Sequence, residues 1–191
     1  MNTSFTGDDD LYVRLKTGNA TDVFSNKTYG TYLSSSNGND DIIEVDKIWY
    51  SFPVGEKNTV WIGPAIENYY MHGATPSIYA PITKQFKLGG NGAAYGASTD
   101  SGIGWAYKAD NGFSLSSNVV SKQNKSTNGF LTDQSKTNWS TQVAYTTDEY
   151  HVSLITALKY NGWTDSYYTT SLGKARPDGN STNYGLRAYW R

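Results

Sequence analysis

The sequence of 191 residues contains no cysteine, which excludes a disulfide framework and a thiolate metal site. It has only two histidines, His72 and His151, which are far apart and have no clustered acids, so neither a metal site nor another cofactor is expected. No apolar run approaches the roughly 20 residues that a transmembrane helix requires. Neither charge sign dominates, with 16 Lys and Arg against 17 Asp and Glu, so nothing indicates a nucleic-acid partner.

Catalytic motifs are missing as well. The stretch GGNGAAYG is rich in glycine like a phosphate loop, but it lacks the terminal Gly-Lys-Ser/Thr and no helix follows it. No Ser, His and Asp order comes with a nucleophile turn. A weak calcium site at Asp8-Asp9-Asp10 is less favoured than a solvated turn. We therefore expect no enzyme and no catalytic residue.

What the chain has is glycine (19), tyrosine (16) and apolar residues at every second position. The segment DKIWYSFPV shows the alternation, with Ile48, Tyr50, Phe52 and Val54 on one side and Lys47, Trp49 and Ser51 on the other. This period predicts a strand with one apolar and one polar face.

The same pattern predicts about nine strands and no amphipathic helix. The predicted strands are 2–6, 10–17, 43–54, 58–66, 103–109, 113–121, 137–146, 149–160 and 182–191. Short turns alternate with long polar connections, which is typical of an all-β, antiparallel, up-and-down transmembrane barrel with turns at one end and loops at the other. A Tyr-rich sandwich or barrel in water remains the alternative.

Aromatic residues near the strand ends favour lipid over a protein core as the neighbour of the apolar face, because Tyr and Trp suit the headgroup level of a membrane. Glu44 and Asp46 have the sequence parity of that face, and we expect them at its rim. The sequence does not decide the loop length of the hairpin around Gly55-Glu56-Lys57. A three-residue loop places Val60 on the apolar face, whereas a four-residue loop places Trp61 there.

The opposite face carries cations with almost no acid among them, which predicts a water-filled lumen that favours anions. The predicted pore-lining residues are Arg14, Lys16, Lys47, Trp49, Lys108, Lys159 and Arg187, with Trp49 as a candidate for stacking on a sugar ring. Ordinary solvent-facing charge is the other interpretation. The connection 67–102 is too long to be incidental, and it either folds inward as a constriction that carries Lys84 and Lys87 or caps the surface.

Five stretches carry a family resemblance: MNTSFTGDDDLYVRLKTGNA, VDKIWYSFPVGEKNTVWIGPAIENYYM, PSIYAPITKQFKLGGNGAAYGAST, GFLTDQSKTNWSTQVAY and NGWTDSYYTTSLGKARPDGNSTNYGLRAYW. Over nearly all of its length, the chain resembles the barrel region of cyanobacterial outer-membrane porins, relatives of the OprB-type carbohydrate-selective porins. The version in marine unicellular cyanobacteria looks closest. The resemblance implies a passive channel in the cell outer membrane for sugars or small inorganic ions.

Members of that family begin with a signal peptide, an S-layer-homology domain and a coiled coil, and their barrels continue through further strands. The sequence shows none of these features, so residues 1–191 are expected to be a porin barrel segment, whether a truncated product, an assembly artefact or an excised piece. Its open edges would require borrowed strands or a homo-oligomer such as a trimer. The expected partners are outer-membrane lipid and small hydrophilic solutes. The alternative function is a soluble, lectin-like carbohydrate-binding module.

Overall fold

A computed structural model describes residues 1–19, 38–75, 92–95, 99–122, 132, 135–161, 163 and 180–191. The strands are β1 (Asn2–Thr3), β2 (Asp10–Asn19), β3 (Gly38–Val54), β4 (Asn58–Ile66), β5 (Asp100–Lys108), β6 (Phe113–Lys122), β7 (Lys136–Thr146), β8 (Tyr150–Tyr160) and β9 (Ser181–Trp190). A 3-10 turn at Asn68–Met71 and a four-residue helix α1 at Gly92–Tyr95 are the helical segments of the described chain. Neither has the length and apolar character to cross a membrane.

The nine strands form one antiparallel sheet in chain order, and each strand pairs with its neighbours in the sequence. Within the described residues β1 pairs only with β2 and β9 only with β8, so the sheet is not closed. Short turns join the strands at one end and long connections join them at the other. The predicted all-β, up-and-down architecture is therefore confirmed, with all nine strands in place.

The two faces of the sheet have an inverted burial pattern. Apolar side chains of alternate positions are exposed, and Leu154 and Leu186 keep 50% and 78% of their accessible surface. The polar residues between them are buried, as Ser116, Ser140 and Gln142 show. The apolar face is therefore not covered by any described part of the chain, and the interior lies on the polar face.

The register between β3 and β4 answers the question that the sequence leaves open. Val54 pairs with Asn58, so the loop has three residues, and Gly55 at its start has a φ of 65°. Phe52 pairs with Val60, which places Val60 on the apolar face. Trp61 faces the polar side.

The turn between β1 and β2 is organised by one carboxylate. Asp9 accepts hydrogen bonds from the Ser4 hydroxyl at 2.5 Å, the Thr6 amide at 2.7 Å and the Tyr50 hydroxyl at 2.7 Å. The hydrogen bond from Ser4 contributes most to lowering the pKa of Asp9, and together these donors hold it well below its usual range. Its oxygens are thus engaged within the turn.

Candidate functional site

The candidate site is the polar face of the sheet, where all seven predicted pore-lining residues lie. Their exposure differs: Lys47, Trp49 and Lys159 are buried, Arg14, Lys16 and Arg187 are half-buried, and Lys108 is exposed. Lys84 and Lys87 lie outside the described residues. The pore-lining role itself stays a prediction.

On β2 and β3 the cations of the polar face are paired with acids. Arg14 forms an ion pair with Asp46. Lys16 Nζ lies 3.4 Å from a carboxylate oxygen of Glu44 and 3.7 Å from one of Asp46. The positive field that the sequence predicts for this face is therefore largely neutralised here.

A β-bulge explains why these acids do not lie on the apolar face, as their sequence parity suggested. Arg14 pairs with Lys47, but Leu15 pairs with Val45, so Asp46 is the extra residue of the bulge. Relative to Lys47, this extra residue moves the side chains that precede it in β3 to the opposite face. Glu44 consequently lies opposite Lys16 on the polar side. The expectation that both acids sit at the rim of the apolar face was wrong.

Lys47 holds both ends of the long connection between β4 and β5. Its side chain is fully buried, and its Nζ lies 2.5 Å from the Glu67 carboxylate, where the connection begins. The same Nζ donates a hydrogen bond of 2.8 Å to the Thr99 hydroxyl, where the connection ends. Lys47 is therefore an anchor for this connection rather than a freely exposed cation.

Trp49 is packed against two aromatic rings. The Tyr12 ring stacks on it with a centroid distance of 3.9 Å, and the Tyr70 ring lies at 4.8 Å. Only 5% of its surface is accessible. In this arrangement no ring face of Trp49 is free to stack on a sugar.

The described start of the connection folds inward onto β5 and β6. A Cβ on Gly104 would lie only 2.7 Å from Met71 Cβ and Sδ, so the absence of a side chain at Gly104 makes room for the 3-10 turn. Next to it, His72 Nδ1 lies 3.2 Å from the Ser116 hydroxyl, and Asn118 donates to the Asn68 carbonyl at 3.1 Å. Burial lowers the pKa of His72 to about 3, so the imidazole is neutral in this position.

Gln142 of β7 joins two further parts of the connection. Its Oε1 accepts from the Ala74 amide at 3.0 Å, and its Nε2 donates to the Ala74 carbonyl at 3.1 Å and to the Tyr95 hydroxyl at 3.2 Å. Tyr95 lies in α1, which contacts β8 and β9. Of the two arrangements open for this connection, its described parts adopt the inward one.

Lys108 and Arg187 differ from the cations of β2 and β3. Neither makes an ion pair with a described residue, and the Nε and Nη1 atoms of Arg187 are buried without a hydrogen bond. Lys159 is buried and has a partner.

The residues that dock the connection were missed by sequence reasoning, although one signal was present. Gly102, Gly104 and Ala106 take alternate positions on the polar face of β5. Such a row of small side chains in a strand indicates close approach of another backbone. Glu67 and Gln142 had no comparable signal.

Comparison with models of protein families gives a match over almost the whole chain. The sequence profile described as "Carbohydrate-selective porin, OprB family" matches residues 1–190. Searches of curated proteins and of solved structures give no match. The profile covers the strands, the turns and the inward connection alike. The chain therefore belongs to the OprB family of carbohydrate-selective porins, which are channels and not enzymes.

Proposed function

We propose that this chain forms the wall of a water-filled β-barrel in the outer membrane, through which small hydrophilic solutes diffuse passively. Carbohydrates are the first candidates because of the family, and inorganic ions are the second. The inverted burial pattern carries the proposal, because an exposed apolar face and a buried polar face suit lipid outside and water inside. A cyanobacterial origin and assembly into a trimer stay predictions.

The same pattern weighs against the alternative of a soluble, lectin-like module. Such a module would bury its apolar side chains in a core, yet Ile62, Val143 and Leu154 are exposed on the outer face. Trp49, the residue that the sequence suggested for stacking on a sugar ring, is buried as well.

We propose that the lumen wall has two regions that differ in net charge. Around β2 and β3 the ion pairs leave little net field, so Arg14 and Lys16 contribute mainly polarity to the lumen. At the turn end, Lys108 and Arg187 supply a positive field that lowers the entry cost of anions. The inward connection narrows the passage, and the assignment of Lys84 and Lys87 to this constriction stays a prediction because both lie outside the described residues.

Planar-bilayer recording across a salt gradient tests this function. We expect discrete conductance steps and a reversal potential displaced towards anions. Lys108→Glu should move the reversal potential towards cations, because the exposed charge on the lumen wall changes sign. Lys57→Glu is the matched control, since Lys57 lies in a turn and pairs with Asp110 at 2.6 Å.

Two results would contradict the proposal. Absence of channels from a preparation in which a longer family member does form them would show that these residues alone are not a pore. An unchanged reversal potential for Lys108→Glu would remove this residue from the lumen.

A further inference from the structure

A pocket of about 400 Å³ lies on the outward side of the sheet, at the loop end where the long connections lie. Val119 of β6, Trp139 of β7 and Tyr160 of β8 line it, and all three alternate with buried residues of the polar face. The pocket therefore lies outside the interior. The proposed function places this side in the membrane, so the inference rests on that function.

The position of the pocket along the strands corresponds to the headgroup level of a membrane. The outward side of β8 has Tyr150 at the turn end and Tyr160 at the loop end, with Val152, Leu154 and Leu158 between them. Ten residues of strand extend about 33 Å, and at the usual tilt they give a height of about 25 Å, which is that of the apolar band of outer-membrane barrels. The two tyrosines thus mark the borders of the band, where aromatic rings are enriched.

One wall of the pocket is fixed in place by hydrogen bonds. Thr132 and Ser135 form this wall, and the Ser135 amide donates to the Thr132 carbonyl at 3.0 Å. The Ser135 hydroxyl lies 2.8 Å from that of Thr137 in β7, and Asn161 Nδ2 donates to the Ser135 carbonyl at 2.8 Å. The wall is therefore tied to β7 and to the end of β8, and the pocket is a preformed part of the fold.

The described lining of the pocket carries no charge. Its apolar part is Val119 and the exposed Trp139, whose indole N–H donates to the Ser117 hydroxyl at 2.9 Å and thus leaves the ring as the surface for a ligand. Its polar part has only hydroxyl and amide side chains, those of Thr132, Ser135, Thr137, Tyr160 and Asn161. Such groups suit the hydroxyls of an uncharged ligand.

The lysines at this height belong to the other side of the sheet. Lys122 ends β6 and pairs with Lys136, which begins β7. Both alternate with outward residues, and Lys122 Nζ lies 5.0 Å from the centroid of the Trp163 ring rather than at the pocket. An anionic headgroup therefore finds no cation in the described lining.

We propose that this pocket binds a membrane lipid whose headgroup is an uncharged sugar. The sugar lies against Thr132, Tyr160 and Asn161, and the acyl chain follows Val119 and Trp139 onto the apolar face. A volume of about 400 Å³ is at the small end of ligand sites, which suits a headgroup of one sugar ring rather than a whole lipid. Long loops of outer-membrane barrels are extracellular, so the lipid belongs to the outer leaflet.

Native mass spectrometry on the full chain, folded in a detergent without a sugar headgroup such as lauryldimethylamine oxide, tests the site. Monoglucosyl dioleoylglycerol, dioleoylphosphatidylglycerol and dioleoylglycerol share their acyl chains and differ in the headgroup alone, and each is titrated separately. We expect saturable binding of one glucosyl lipid, about tenfold tighter than binding of the other two, because only the sugar exchanges hydrogen bonds with an uncharged lining.

Trp139→Leu keeps an apolar side chain but removes the ring, and it should weaken binding of the glucosyl lipid about fivefold. Trp105→Leu is the matched control, because Trp105 is also exposed, donates its indole N–H to Asn58 at 3.0 Å and lies outside the described lining. It should change the affinity by less than about twofold. Tyr160→Phe removes only a hydroxyl and should weaken binding about threefold, which keeps the test valid if Trp139→Leu does not fold.

Four results would overturn the site. They are equal binding of the three lipids, tighter binding of the phosphatidylglycerol than of the glucosyl lipid, the same loss in Trp105→Leu as in Trp139→Leu, and binding of free glucose as tight as that of the glucosyl lipid. Bilayer recording on the same preparation separates this proposal from the channel function. Selective binding of the glucosyl lipid without channels would sustain the site and contradict the channel, and channels without lipid selectivity would do the reverse.

Discussion

The polar face of this sheet has two cationic regions that differ in their surroundings. The paired region consists of cations and acids of β2, β3 and the start of the inward connection: Arg14, Lys16, Lys47, Glu44, Asp46 and Glu67. The unpaired region consists of Lys108 and Arg187 near the turn end, which have no ion pair with a described residue. Both regions show the same sequence signal, a basic residue on the polar side of a strand.

The difference shows that the position of a basic residue in the alternation determines the face of the sheet on which its side chain lies, but not its structural or electrostatic role. Lys47 is buried with carboxylate oxygens of Glu67 and Asp46 at 2.5 and 3.9 Å from its Nζ, and it holds a connection in place. Lys108 is exposed at a cavity, and it has no ion pair with a described residue. Removing the first should therefore disturb the structure, and removing the second should disturb electrostatics alone.

The largest expected effect comes from the paired region. Lys47→Met leaves the Glu67 carboxylate buried without its cation, which should lower the free energy of unfolding by about 3 kcal/mol. Conductance should rise as well, because both ends of the inward connection lose their anchor. Urea unfolding of the reconstituted protein and bilayer recording measure the two changes.

The double variant Lys47→Met with Glu67→Met should recover most of that stability, because a buried ion pair can be replaced by apolar side chains at little cost. Lys16→Met is the control, since its half-exposed ion pairs contribute less than about 1 kcal/mol. Equal losses for Lys47→Met and Lys16→Met would show that Lys47 is not an anchor.

A smaller effect is expected from pH at the inward connection. Docked His72 is neutral, with a pKa of about 3, whereas an undocked imidazole takes up a proton near its ordinary pKa of about 6.5. Docking is therefore strongest above pH 6.5 and weakens as the pH falls towards 3. Between pH 7 and 5 the loss is about 2 kcal/mol. Hydrogen exchange of residues 68–75 should accelerate over this interval.

His72→Phe retains a ring of similar size without a titrating group, and it should remove this pH dependence. If the acceleration persists in His72→Phe, another group controls the docking.

The smallest expected effect is steric. Gly104→Ala places a methyl group against Met71, at 2.7 Å from its Cβ and Sδ, which should cost about 1–2 kcal/mol of docking free energy. Hydrogen exchange of residues 68–75 should increase. Ile103→Val, on the outward face of the same strand, should leave that exchange unchanged. An unaltered rate in Gly104→Ala would mean that the 3-10 turn does not pack as described.

Strand order and facing were accessible from the sequence because a period of two is local and repeats along each strand. Leu115, Ser116 and Ser117 show it in three consecutive residues, and their faces were assigned correctly. Turn lengths then set the relative parity of neighbouring strands, as at Gly55.

Two features of the site were not accessible, each for a physical reason. A bulge is a single-residue irregularity, so nothing in the alternation of β3 indicates that Asp46 reverses the facing of Glu44. Partners of the inward connection are distant in the sequence, as with Lys47 and Thr99, and no local pattern encodes such a contact. The sequence therefore located the cations but not their acids.

In the proposed channel the apolar face of the sheet contacts lipid and the polar face lines the interior. Because the chain has no cysteine, single cysteines can be introduced along β8 at positions 152–158 and spin-labelled one at a time. In reconstituted bilayers, oxygen should collide most with labels at Val152, Leu154, Thr156 and Leu158 and least with those at Ser153, Ile155 and Ala157. Oxygen collision rates that do not alternate along β8 would contradict lipid contact of the apolar face. Free collision of a water-soluble nickel reagent with a label at Leu154 would contradict it as well.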